Sequence, residues 1–200
     1  MRVFLLLLAL LLAGCATAPE RAPVADIAAA WNARQARLAR LETWSLRGRL
    51  ALRTAEEGAH ASLHWVRRQD VHRVDLAGPF GGGRVRVTYD GSGAELREAD
   101  GKVHRDASVQ ELVARATGWW LPLEGLNYWV VGLPAPGAPA QRALDPWGRL
   151  QRLRQLGWTI EFLEYVREGG YELPRRLFIR RASPEETLEV RLVIEDWAVR

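Results

Sequence analysis

Cys15 carries the most reactive side chain in the sequence and is its only cysteine. It ends an apolar run, Val3 to Leu12, that starts after Arg2 and closes in Leu12-Ala13-Gly14-Cys15. A run of about ten apolar residues is half the ~20 a helix needs to cross a bilayer, and it suits the core of a signal peptide. A lone cysteine in an exported chain otherwise suggests a free thiol or an intermolecular bridge. The small residues before this one form a lipobox-like pattern, so the expected chemistry is a thioether to diacylglycerol. Residues 1–14 are then the signal peptide and Cys15 the first mature residue. That covalent lipid is the only prosthetic group expected; no cofactor is.

The other reactive residue types fall in less suggestive places. His60 and His64 share one face of a strand, but metal ligation needs a further ligand and an oriented outer shell. His72 and His104 are read on polar faces, so all four histidines are expected at the surface. Ser45, Ser62, Ser92, Ser108 and Ser183 lack a Gly-x-Ser-x-Gly context. The carboxylates are spread over outer faces and turns, with none isolated in an apolar run that would raise its pKa. Gly81-Gly82-Gly83 is followed by a strand and no Gly-Lys-Ser/Thr, so it is a poor phosphate cradle. The expectation is a protein that is not an enzyme and binds no metal.

With 28 basic and 24 acidic residues the net charge is +4, and Lys102 is the only lysine. Nucleic-acid binding would gather the basic residues into one patch. Here arginines alternate with apolar residues, as on a solvated sheet face, so no nucleic-acid partner is expected. Residues 15–23 read as the lipidated N-terminus and a flexible tether. Residues 24–200 are long enough for one domain with a real core.

Within that domain, Val24 to Glu42 reads as a helix whose stripe is Ile27, Trp31, Arg34, Leu38 and Leu41. The period then becomes two. Trp44, Leu46, Gly48, Leu50 and Leu52 share one face, followed by Ala61, Leu63 and Trp65, by Val74 and Leu76, and by Val85, Val87 and Tyr89. Asp90-Gly91 and Asp100-Gly101 mark tight turns. Ser108 with Glu111 resembles a capping box before a helix that Gly118 ends, and Leu123 to Val131 reads as a short apolar helix. Strands resume at Ala140–Leu144, Arg149–Gln155, Trp158–Val166, Pro174–Ala182 and Glu186–Trp197. About eleven antiparallel strands and three helices result, a mostly β chain with helices. A curled, barrel-like sheet stoppered by helices and a flatter sheet both fit, and the consecutive hairpins favour the first. Nine tryptophans are many for 200 residues. Those on inward faces either fill a core or line a cavity, and a filled core is the commoner outcome. In Gly78-Pro79-Phe80-Gly81, Phe80 either folds back on the core or forms a hydrophobic finger at a loop tip.

Several fragments, in order and spacing, resemble the LolB family of outer-membrane lipoprotein receptors. They are Trp44, Gly48 and Arg49; Gly78-Pro79-Phe80-Gly81; Gly118 and Pro122; Tyr128 to Pro134; Gly157-Trp158-Thr159-Ile160 with Tyr165; Leu173-Pro174; and Asp196-Trp197. The family's protruding loop usually has Leu where this chain has Phe80. The resemblance implies an incomplete antiparallel β-barrel with a helical lid over an apolar cavity, and a single lipoprotein-binding domain over 24–200. Trp44, Leu46, Leu50, Leu63, Trp65, Leu76, Trp129, Trp158 and Ile160 would line the cavity or its lid, and Phe80 would meet the membrane. It also implies a receptor, expected as a monomer, that takes acylated lipoproteins from the periplasmic carrier LolA and releases them into the inner leaflet of the outer membrane. Ala16 is not the aspartate of an inner-membrane retention signal, so the outer membrane is the expected address. A lipid-anchored scaffold or sensor with a filled core is the competing expectation, and an anchored esterase a weaker one.

Overall fold

The computed structural model describes residues 22–78, 83–118, 120–182 and 187–200. Cys15, Pro79, Phe80 and Gly81 lie outside them.

Eleven strands make a single antiparallel sheet. They are β1 (Thr43–Arg53), β2 (Gly58–Arg68), β3 (Val71–Ala77), β4 (Val85–Asp90), β5 (Gly93–Glu98), β6 (Val103–Asp106), β7 (Ala140–Leu144), β8 (Leu150–Gln155), β9 (Trp158–Glu168), β10 (Tyr171–Ala182) and β11 (Thr187–Val199). Their order is β6-β5-β4-β3-β2-β1-β11-β10-β9-β8-β7. Two meanders are therefore joined where the first strand meets the last, with Leu50 opposite Leu192 and Leu46 opposite Trp197. The pairing shifts at Arg47/Gly48. A Cβ on Gly48 would press into the carbonyl of Val193 and lie 3.0 Å from Ile194 Cα, so only glycine fits this close crossing.

Among the described residues three helices accompany the sheet: α1 (Ile27–Leu38), α2 (Val109–Thr117) and α3 (Leu123–Trp129). The first is shorter than its apolar stripe suggests, because Asp26 caps it by accepting from the Ala29 N–H at 2.9 Å. Trp31 and Leu38 are buried, whereas Ile27, in the first turn, is exposed. At α2 the expected reciprocal cap is half made. Ser108 Oγ accepts from the Glu111 N–H at 3.3 Å, but the Ser108 N–H goes to Asp106 Oδ1 at 2.9 Å. Gly118 ends α2 at φ 77°, the left-handed conformation that suits glycine.

Neither edge strand pairs with the other, so the barrel is incomplete. Its curvature follows from α3. Asn127 Oδ1 accepts from the Tyr89 hydroxyl on β4, and the Trp129 indole donates to Gln155 Oε1 on β8 at 3.0 Å. Those strands are seven steps apart in the sheet order, about 34 Å if the sheet were flat. Two residues on one short helix reach both only because the sheet curls around it. This decides between the two architectures left open by the strand pattern.

The two ends of the barrel differ. The register puts the β1–β2 and β8–β9 turns and the β3–β4 connection at one end, hereafter the mouth. The turns at 69–70, 145–149 and 169–170 lie at the other end. There α1 packs across them: Val24 N–H donates to Pro146 O at 3.0 Å, and Arg37 donates to the Gly170 carbonyl. At Gly148, φ 71°, a Cβ would lie 2.7 Å from Ala30 Cβ, so the turn is held tight against the helix.

Candidate functional site

The concave face is built by strand alternation. Trp44 and Leu46 from β1, Leu63 and Trp65 from β2, Val74 from β3, Ile160 from β9 and Ile179 from β10 are all buried. Trp129 of α3 is fully buried among them. The expected cavity and lid residues Trp44, Leu46, Leu63, Trp65, Trp129, Trp158 and Ile160 thus come together in one apolar cluster. Leu50 and Leu76 differ: they are half-buried, as is Val85, and all three lie toward the mouth on β1, β3 and β4. On β3 and β4 the apolar surface is therefore partly accessible toward the mouth, beside Gly78 and Gly83, whereas Leu52 and Leu188 at the mouth ends of β1 and β11 are buried. The Phe80 reading lies outside the described residues.

The far floor is aromatic. Trp44 packs tilted against Trp65 at 5.6 Å and edge-on to Trp197 at 5.5 Å. His72 stacks on Tyr89 at 4.9 Å and accepts from the Trp65 indole at Nδ1, 3.2 Å away. The expectation of a surface histidine is corrected here, since His72 is only 5 % exposed. It has the same strand parity as Val74 and Leu76, and that parity was the available signal. Burial first, then the Arg67 guanidinium, lowers its pKa to about 4, with Asp70 opposing. His60 is exposed, His64 is half-buried, and His104 meets Glu98 Oε1 at 2.6 Å. Among the described residues no group of three or more His, Cys, Asp and Glu side chains could hold a metal ion.

A helical hairpin covers the concave face. α2 leans on β5 and β6, and α3 lies between the two wings, burying Leu123, Leu126 and Trp129. At the rim Arg181, paired with the inward Leu188, sits 5.1 Å from the ring centre of Trp120 in the α2–α3 connection. Gln155 is the fastening on the right wing. Its Oε1 takes the Trp129 and Ala135 N–H groups, and its Nε2 donates to the Ala135 and Ala138 carbonyls. Tyr89 and Asn127 are the fastening on the left. Burial raises the pKa of the Tyr89 hydroxyl, so it stays a neutral donor.

The polar group that sequence reasoning missed lies under α1. Arg34, within the apolar stripe of the helix, pairs with Glu172 at 3.1 Å. Arg149 bonds Asp145 at 2.6 Å and stands over the Tyr165 ring at 4.5 Å. Burial lowers the pKa of Arg34 against the opposing pull of Tyr165 and Glu172. Asp145 is buried too, contrary to the reading of all carboxylates as exposed. The cluster docks α1 on its turns and offers no nucleophile–base pair.

Solved structures share this architecture. A crystal structure described as an outer membrane lipoprotein-sorting protein domain from Vibrio parahaemolyticus superposes with a TM-score of 0.57 at 11% identity, covering 86% of this chain and 91% of that one. A LolA-superfamily protein from Nitrosomonas europaea gives 0.50 at 11% identity, covering 90% and 94%. The chain thus shares their fold, a curled, unclosed sheet around helices. The family model for outer membrane lipoprotein LolB matches residues 42–197. Outer-membrane lipoproteins LolB of Alkalilimnicola ehrlichii and Nitrosococcus oceani are 39% and 37% identical, over 96% and 98% of this chain and 94% and 96% of theirs. The chain belongs to the LolB family. It is a lipid-anchored outer-membrane protein of lipoprotein localisation.

Proposed function

We propose that this protein, lipidated on Cys15, receives acylated lipoproteins from the periplasmic carrier LolA and passes them to the inner leaflet of the outer membrane. The observation that carries the reading is the unclosed sheet, whose apolar face is covered by a hairpin fastened to the two wings at Tyr89–Asn127 and at Gln155. Acyl chains cannot cross water exposed, so a receptor must offer them an apolar interior and let them leave again. Transfer without ATP needs only tighter binding at each successive acceptor. Nothing in the proposed role calls for bond-breaking chemistry, and the protein acts as a receptor rather than an enzyme. Phe80 contacts the membrane in this scheme. Burying one Phe gives roughly 1.5–3 kcal/mol, enough to guide contact, whereas anchoring rests on the acyl chains.

The test mixes LolA loaded with a triacylated lipoprotein with the Cys15→Ala protein, then with liposomes. Cargo should move to the protein and on to liposomes. In Phe80→Glu, binding should survive and delivery should fail. No uptake by a demonstrably folded protein would sink the reading. One observation favours the competing scaffold: Trp44, Trp158 and Ile160 are almost completely enclosed by their neighbours. A hydrophobic fluorescent probe separates the two, because a permanently filled core gives it no site.

A further inference from the structure

Five tryptophans of the barrel interior are buried: Trp44, Trp65, Trp129, Trp158 and Trp197. Three donate their indole N–H to the protein: Trp65 to His72, Trp129 to Gln155, and Trp197 to the Pro174 carbonyl at 2.9 Å. Among the described residues, Trp44 and Trp158 meet no acceptor. In each case the polar side chain nearest in the pattern is already taken. His72 Nδ1 beside Trp44 is held by Trp65, and Gln155, paired with Trp158 across the β8–β9 turn, has both its oxygen and its nitrogen occupied. A buried donor left unpaired is costly, and such groups are rare in folded proteins. The two differ in depth: Trp44 sits in the aromatic floor, whereas Trp158 is at the mouth end of β9.

We propose that the Trp158 indole N–H is a recognition donor for an ester carbonyl of an acylated ligand. This rests on the acyl-binding reading above and adds a polar contact to it. An acylated lipoprotein N-terminus brings ester carbonyls, in groups with no donor of their own, at the junction of its chains. With the chains directed toward the tryptophan floor, that junction lies nearer the mouth, at the level of Trp158 rather than Trp44. The N–H also discriminates: chains joined through ethers offer a far poorer acceptor.

The test uses the mature lipid-bearing protein, with 15N-labelled indoles, in nanodiscs of dialkyl-ether phospholipid. The probes are a triacylated cysteinyl lipopeptide and its dialkyl-ether analogue that lacks the two ester carbonyls. Trp158→Phe assigns the Trp158 indole resonance. The expected result is a downfield move of that proton with the ester lipopeptide and a smaller one, or none, with the ether form, while Trp44 does not show this difference. Trp158→Phe should weaken ester binding roughly 2- to 10-fold, the worth of one hydrogen bond, and ether binding less. Both lipopeptides binding with the Trp158 proton unmoved would overturn the proposal and leave acyl binding intact. Neither lipopeptide binding would overturn the acyl-binding reading, and this proposal with it.

Discussion

Acid should loosen this fold through His72. Its ring is buried on the inner face, accepts from Trp65 and stacks on Tyr89, which in turn donates to Asn127 of the covering helix. The folded-state pKa is about 4, against 6.5 for an unperturbed histidine. Below pH 6.5 the unfolded chain takes up a proton that the folded one refuses, so the stabilisation is complete above 6.5 and is lost as pH falls toward 4. Linkage over that interval costs about 2 kcal/mol by pH 5 and about 3 kcal/mol by pH 4. The assay is urea unfolding at pH 7, 6 and 5, comparing wild type with His72→Asn, whose amide keeps an acceptor near the Nδ1 position. The variant should be less stable at pH 7 for want of the stacked ring, yet lose about 2 kcal/mol less on going to pH 5. Parallel stability curves would refute the buried, neutral histidine. Carboxylates such as Glu95, whose pKa the Arg105 and Arg97 hydrogen bonds lower, titrate alike in both proteins and cancel in the difference.

Further substitutions probe the fastenings and the frame. Gln155→Ala leaves the Trp129 and Ala135 N–H groups unpaired, and at ~1–3 kcal/mol each the protein should lose several kcal/mol in urea. Tyr89→Phe removes one contact to α3; it should cost about 1 kcal/mol and raise amide hydrogen exchange over residues 123–129 with little change elsewhere. Gly48→Ala should cost about 3 kcal/mol or abolish folding, measured as soluble yield and Tm, because its methyl meets the β11 backbone. Arg34→Ala strips Glu172 of its closest partner. The expected loss in urea is about 3 kcal/mol, at the low end for a buried pair because Arg167 at 3.5 Å and Arg149 at 3.9 Å remain beside Glu172.

The strands were legible because each has one wet and one dry face, and alternation records that directly. Ala140–Leu144 agrees to the residue, and the other late strands differ at their ends by at most three. The curl was legible only as a preference drawn from the run of consecutive hairpins, since curvature accumulates over eleven strands and no window of residues contains it. His72 was misjudged because Asp70 and Arg73 make its neighbourhood look polar, although parity places its ring with Val74. The Arg34–Glu172 pair joins residues 138 positions apart. Its only local trace was a charged residue in an apolar helical stripe. Trp44, Trp65 and Trp158 were correctly placed inward by parity, but which indoles lack an acceptor depends on partners that only the folded chain brings near.

The mouth and α1 lie at opposite ends of the barrel, and this sets a limit on posture. The polypeptide enters the domain at Val24, beside the Pro146 turn. If Cys15 holds the lipid, nine peptide steps separate the membrane from that point, at most about 30–32 Å when fully stretched. The eleven residues of β1, ten steps, alone span roughly 32–34 Å. A domain standing on its anchored end would hold its mouth that far above the bilayer, facing the periplasm and a soluble donor. To bring the mouth to the lipid it must tip over or lie on its flank, using most of the leash. Receiving and unloading would then be two orientations of a single rigid body on a short leash. Trimming a few residues between Cys15 and Val24 should slow unloading while leaving uptake untouched.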